Sequence, residues 1–252
     1  MSYLDVEKVS LRFGGVNAID DLSLAVEKGE IFAIIGPNGA GKTSLFNVMT
    51  RIFPPTSGRV LFKSQDITQL PRHKIAAARI ARTFQNIELF EKATVLDNLL
   101  LGRHRFARGG LVAQVLRTSS VTQAEHASRA AVEAIIDVLE LSPYRTAPVA
   151  ELPYGVRKIV EIGRALATDP ELLLLDEPAS GLNPEETRDL SFWIEDIRTD
   201  LGVTVIMVEH DMSLVAEVAD RVLCMNQGRA LATGSPAEVQ SHPDVVAAYL
   251  GA

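Results

Sequence analysis

With a single cysteine in 252 residues, the chain cannot form an internal disulfide. That residue, Cys224, lies in the strand-like run RVLCMNQG (221–228), where a small, buried, unreactive thiol is expected. This cysteine usage fits a reducing compartment. Long apolar runs are missing too: none approaches the ~20 residues that a membrane-spanning helix needs. The opening MSYLDVEKVSLRF has no apolar core of the signal-peptide kind. A role at a membrane would therefore need other chains to supply the spanning part. Basic residues are in deficit, with 25 Lys and Arg against 32 Asp and Glu and a formal charge of −7. That balance argues against nucleic acid as a main ligand, because binding a phosphate backbone needs a basic surface. There is no Gly/Pro/Ser-rich linker, internal repeat or low-complexity tract. The expectation is one compact unit with a helical insert. Apolar residues make up 47% and charged residues 23%, as in ordinary soluble globular proteins.

Residues 3–35 alternate apolar and polar in short runs and end in the apolar IFAII (31–35), which predicts an antiparallel β region feeding a buried strand. A helix over 41–50, a strand over 59–63 and a buried run over 79–84 follow. Residues 94–140 read as mostly helical, with Thr94 and Thr122 as N-caps and Thr122 with Glu125 in capping-box spacing. Beyond them come a helix over about 154–167, a strand over 172–176, a helix over 184–199 and a strand over 203–208. Short strands and helices alternate to the end. Strands separated by helices imply a largely parallel sheet with helices on its faces.

Five short motifs stand in fixed order on this frame: GPNGAGKT (36–43), Gln85 in ARTFQN, LPYGVRK (152–158), LLLLDEP (172–178) and VEHD (208–211). The first matches G-x-x-x-x-G-K-[ST], after an apolar strand and before a helix, the context that gives the pattern its meaning. Gly36, Gly39 and Gly41 let backbone N–H groups turn inward around phosphate oxygens, and the positive end of the helix points at the same anion. Pro37, Asn38, Ala40 and Ser44 complete the binding loop. Lys42 supplies a mobile charge to the β- and γ-phosphates, and Thr43 offers a hydroxyl to Mg²⁺. Asp176, at the end of a buried strand, can hold Mg²⁺ through its water shell, and Glu177 is placed to orient and deprotonate the attacking water. A small-molecule kinase or a GTPase could use such a loop as well. The chain carries no guanine-reading N-K-x-D, and a kinase has no need of the 152–158 element.

Taken together, these residues resemble the ABC (ATP-binding cassette) ATPase family over the whole chain. The resemblance implies an α/β fold: an ABC-type P-loop ATPase with a mostly parallel sheet core, an N-terminal antiparallel β region and a helical subdomain. It implies a single domain over 1–252, with a core of 1–85 and 165–252 around a helical part of about 86–164. It implies ATP and Mg²⁺ as ligands, with Lys42, Gln85, Glu177 and His210 as catalytic residues and Thr43, Gln85 and Asp176 at the metal. Gln85 is similar to the family's Q-loop glutamine, Phe13 in LRFGG to the aromatic that stacks on adenine, and His210 to the switch histidine that reaches the γ-phosphate. LPYGVRK occupies the place of the signature L-S-G-G-Q, with Tyr154 and Gly155 as its binding residues. It departs from that pattern: Pro153 stands in place of the serine, Tyr154 of the first glycine and Val156 of the glutamine. Pro153 has neither a hydroxyl nor an N–H to give, though proline suits a first helical turn. SGLN (180–183) resembles the D-loop. Asn183-Pro184-Glu185-Glu186 is also a good helix start, so capping alone explains the residue type.

Within the family, residues 81–102, 178–187 and the ending HPDVVAAYLGA (242–252) resemble an ATP-binding subunit of the branched-chain amino-acid importer. Urea and short-amide importers look similar, and a non-transport scaffold is a further alternative. The resemblance implies a second ATPase subunit (a related chain or another copy), two permeases, indirectly an extracytoplasmic binding protein, and no nucleic acid. It implies a place at the cytoplasmic face of the inner membrane. The basic RHRFARGG (103–110) reads as a solvated loop near the permease side.

Overall fold

The computed structural model describes residues 2–83, 87–107 and 118–250. In chain order the strands are β1 (Leu4–Phe13), β2 (Val16–Val26), β3 (Ile31–Ile35), β4 (Ser57–Phe62), β5 (Gln65–Asp66), β6 (Ile80–Arg82), β7 (Leu172–Asp176), β8 (Thr204–Val208), β9 (Arg221–Asn226) and β10 (Arg229–Gly234). The helices are α1 (Lys42–Met49), α2 (Val95–Gly102), α3 (Ser119–Val138), α4 (Tyr154–Leu166), α5 (Pro184–Thr199), α6 (Met212–Val218), α7 (Pro236–Ser241) and α8 (Pro243–Leu250). Two compact units emerge: Met1–Arg82 with Glu171–Ala252, and Thr83–Pro170.

The first unit holds both sheets. One is antiparallel, in the order β2-β1-β4-β5. The other runs β10-β9-β3-β8-β7-β6 and is parallel except for the β9–β10 pair. β3, β7 and β8 are buried at every position, which explains why IFAII, LLLLD and TVIMV are continuously apolar rather than alternating. A single apolar cluster joins Leu4 and Leu11 of β1, Phe46 and Met49 of α1, and Phe32, Leu174 and Ile206 of the parallel sheet. At about 25 cal/mol per Å² of apolar surface removed from water, this cluster is the main stabilising term of the unit. Register fixes what happens at its carboxyl edge. Val208 pairs with both Asp176 and Ile34, so β3, β7 and β8 end at one level and release their loops side by side.

The second unit is helical. Thr94 caps α2 in a reciprocal capping box with Asp97. α2 and α4 cross closely at Gly163, where a Cβ would lie 3.1 Å from the Leu139 side chain and 3.5 Å from that of Leu99. The Thr122 cap expected from its spacing to Glu125 is not the one formed. α3 begins four residues earlier, after Thr118, so Thr122 lies within the helix. Pro153 is likewise at the N-cap of α4, with φ −54° and ψ 154°, rather than in its first turn. In the basic segment, Arg103–Phe106 forms a 3₁₀ turn in which the Arg103 guanidinium lies 3.8 Å from the Phe106 ring centroid. Residues 108–110 fall outside the described residues.

Candidate functional site

The loop after β3 takes its shape from three glycines in the left-handed region: Gly36 at φ 145°, Gly39 at 82° and Gly41 at 100°. Space as well as conformation demands glycine at two of them. A Cβ on Gly36 would lie 2.1 Å from the Met225 carbonyl oxygen, and one on Gly41 would lie 2.4 Å from that of Ala18. Gly41 leads directly into α1, whose N-terminus no side chain caps. Lys42 is buried, and its ammonium donates to the carbonyls of Gly36 at 2.7 Å and Pro37 at 3.1 Å. Burial pulls its pKa down, against the opposing pull of Glu177, Cys224 and Asp176. Asn38, Gly39 and Thr43 are exposed, Pro37 and Ser44 partly so, and Ala40 is buried in the turn that Ala40 N–H closes onto Pro37 O at 3.1 Å. A buried ammonium satisfied by carbonyl groups beside an uncapped helix start is chemistry that fits a phosphate anion.

Asp176 closes β7 with its carboxylate buried. Arg82, at the end of the neighbouring β6, donates to it at 2.6 Å, and the two side chains are only 6% and 5% exposed. The same guanidinium donates to Asn47 of α1 at 2.7 Å. The carboxylate of Asp176 and the hydroxyl of Thr43 are hard oxygen donors of the kind Mg²⁺ takes. Glu177 follows in a left-handed conformation, φ 50°, a geometry that costs about 1–2 kcal/mol for a residue with a side chain. The bond from its N–H to Val208 O at 2.9 Å helps hold it there. The result is a carboxylate 2.8 Å from Nε2 of His210, whose loop leaves the adjacent β8.

Phe13, at the end of β1, is 45% exposed and meets Phe53 edge to face at 5.0 Å, so it is not a core side chain. It, the phosphate loop, Asp176, Glu177 and His210 all belong to the first unit. Tyr154 and Gly155 belong to the second: Tyr154 is 48% exposed with Lys158 Nζ 5.8 Å from its ring centroid, and Gly155 is buried in the first turn of α4. Gln85 lies outside the described residues. Cys224 is fully buried, and burial pushes its thiol up to about 11, so it is inert at neutral pH. Among the described residues no cluster of three or more His, Cys, Asp or Glu could hold a metal ion by itself, and no helix is long and apolar enough to cross a membrane.

Two side chains at the site were not singled out by the motifs. Arg82 is the charged end of an otherwise apolar strand, and Glu209 is the second letter of VEHD. Glu209 is 2% exposed, and its carboxylate accepts backbone N–H bonds from Ala179, His210 and Asp211. The available signal was a charged residue inside a buried run.

Comparison with known proteins bears on this arrangement. The family model described as ABC transporter matches residues 19–180, and one described as branched-chain amino acid ATP-binding cassette transporter matches residues 231–252. The chain is 39% identical to BraF of Pseudomonas aeruginosa, a high-affinity branched-chain amino acid transport ATP-binding protein, over 98% of this chain and 97% of that one. Identity and coverage are the same for LivG of Escherichia coli K12, which carries the same description. Among solved structures, the ADP conformation of MJ1267, an ATP-binding cassette of an ABC transporter, superposes with a TM-score of 0.87 at 32% identity and covers both chains fully. On fold, sequence and the order of its loops alike, the chain belongs to the ATP-binding subunits of the ABC transporter family.

Proposed function

We propose that this chain is the ATP-hydrolysing subunit of an importer of branched-chain amino acids, acting peripherally at the cytoplasmic face of a membrane whose permeases are separate chains. The observation that carries the chemistry is the alignment of three strand ends. It brings Lys42, Asp176, Glu177 and His210 to one edge, with Glu177 and His210 2.8 Å apart. The solute class is supported by the branched-chain match at the C-terminal end and by the relatives' descriptions.

In this reading Gly36 through Ser44 surround the β- and γ-phosphates, Lys42 leaves its loop carbonyls to meet them, and Phe13 stacks on the adenine. Thr43 and Asp176, with Gln85, would hold Mg²⁺, which supplies positive charge to the phosphoryl oxygens. Glu177 orients and deprotonates water, and His210 holds Glu177 in place while reaching toward the γ-phosphate. Tyr154 and Gly155 serve the nucleotide of a partner cassette, so two cassettes close around ATP. Pro153 removes one donor from that closure, and a charge-assisted hydrogen bond is worth about 1.5–3 kcal/mol.

Two variants test the reading. Lys42→Ala is expected to weaken ADP and ATP binding at least tenfold by calorimetry. Glu177→Gln is expected to bind ATP as the native chain does and to lose turnover by a factor of a hundred or more. Normal turnover in Glu177→Gln would remove the base from Glu177.

A further inference from the structure

The most unusual group at the site is a buried carboxylate that touches no reacting atom. Glu209 sits between β8 and His210, 2% exposed. One carboxylate oxygen accepts the Ala179 N–H at 2.7 Å, while the other accepts those of His210 at 2.8 Å and Asp211 at 3.1 Å. Its own N–H donates to Ile34 O of β3 at 3.2 Å, tying the same residue to the strand that feeds the phosphate loop. Among the described residues no cationic side chain pairs with it. Burial raises its pKa, and the three N–H donors oppose that rise. Three N–H groups converging from two loops call for an acceptor with two oxygens and no hydrogen, and an ionised carboxylate is that acceptor.

Ala179 lies two residues beyond Glu177, and His210 is the next residue after Glu209. The single carboxylate therefore fixes the two loops on which the Glu177–His210 contact depends. We infer that Glu209 is a positioning residue for hydrolysis: by clamping the Ala179 and His210 peptides to one carboxylate, it sets the geometry of the Glu177–His210 pair. This rests on the hydrolytic reading of the site proposed above.

Glu209→Gln is the discriminating change. The amide keeps the volume and one acceptor oxygen but turns an NH₂ toward one set of N–H donors, so it breaks one arm of the clamp and leaves the packing. Turnover, KM for ATP and ADP affinity are to be measured on the full chain, assembled with its partner cassette and permeases, for wild type, Glu209→Gln, His210→Ala and the double variant, with single-turnover conditions for slow forms. The expected result is a turnover loss of tenfold or more in Glu209→Gln, with KM and ADP affinity within twofold of wild type. In the His210→Ala background the further loss should be under threefold, because the contact being positioned is already gone. Equal losses in both backgrounds would overturn the role, as would an ADP affinity that falls in step with turnover, or unchanged turnover in Glu209→Gln. Native amide exchange at both Ala179 and His210 in Glu209→Gln would do the same without reference to activity. Wild-type turnover without the Glu209→Gln loss overturns only the positioning role, whereas a wild-type assembly without turnover overturns the hydrolytic reading with it.

Discussion

Arg82 and Asp176 form a pair in which each side chain is almost wholly withdrawn from water, 2.6 Å apart. Such pairs are expensive to desolvate, and their net worth is small while both partners remain. Removing one partner is a different matter, because the other charge stays behind in a poorly hydrated place. Arg82→Met is therefore expected to destabilise the chain by about 3–5 kcal/mol in urea unfolding at neutral pH. An unchanged unfolding midpoint would contradict that cost. Neither Arg82 nor Glu209 is legible from the sequence, for one physical reason. Arg82 meets a carboxylate 94 residues away and Glu209 an amide 30 residues away, and only sheet register brings them together. The positions of Lys42 at a helix start and of Asp176 and Glu177 at a strand end could be read early because each depends on a local strand–loop setting. The exposure of Phe13 could not be, since a lone aromatic after an alternating strand suits either a core or a surface.

At the scale of elements, helix starts show where local patterns suffice and where they do not. Asn183 accepts from the N–H groups of Glu185 and Glu186 at 2.9 and 3.0 Å, and Glu186 returns a bond to Asn183 N–H at 2.9 Å. The box was readable because Asn-Pro-Glu-Glu allows only one start. Asn183→Ala should cost about 1 kcal/mol in urea unfolding, and Asn183→Asp should recover most of it. The run TSSVT (118–122) instead offers several capping side chains, so glutamate spacing selected Thr122 while the helix begins at Ser119.

Glu171, just before β7, ties elements of the first unit together. It accepts from Lys63 at 2.6 Å and from the Tyr3 hydroxyl, and it pairs with Arg79 at 2.8 Å. The Lys63 bond comes first among the causes that hold its carboxyl below the ordinary 4.5, followed by the Tyr3 bond. A carboxylate with a depressed folded pKa contributes stability above its unfolded pKa and loses it as pH falls through the folded value. Urea midpoints of wild type and Glu171→Gln should therefore differ at pH 7 and converge toward pH 3. A constant difference would show that the contribution is packing rather than charge.

Over the whole molecule, the strand–helix alternation made the α/β class readable, while the order β10-β9-β3-β8-β7-β6 was not. Crossover connections can place consecutive strands on either side of a neighbour, and the run lengths do not say which. That order is what makes the site, because it seats β3 against β8 and β8 against β7. No helix among the described residues is long and apolar enough to cross a membrane; in the proposed function the solute passes through separate permeases and this chain contributes the nucleotide chemistry. Labelled leucine, isoleucine and valine uptake by source cells in which Lys42→Ala replaces the native chain tests that division of labour most directly. Loss of uptake of all three, with urea uptake intact, is the expected result. Branched-chain uptake at the native rate, with the variant as the cell's only copy of this chain, would contradict it.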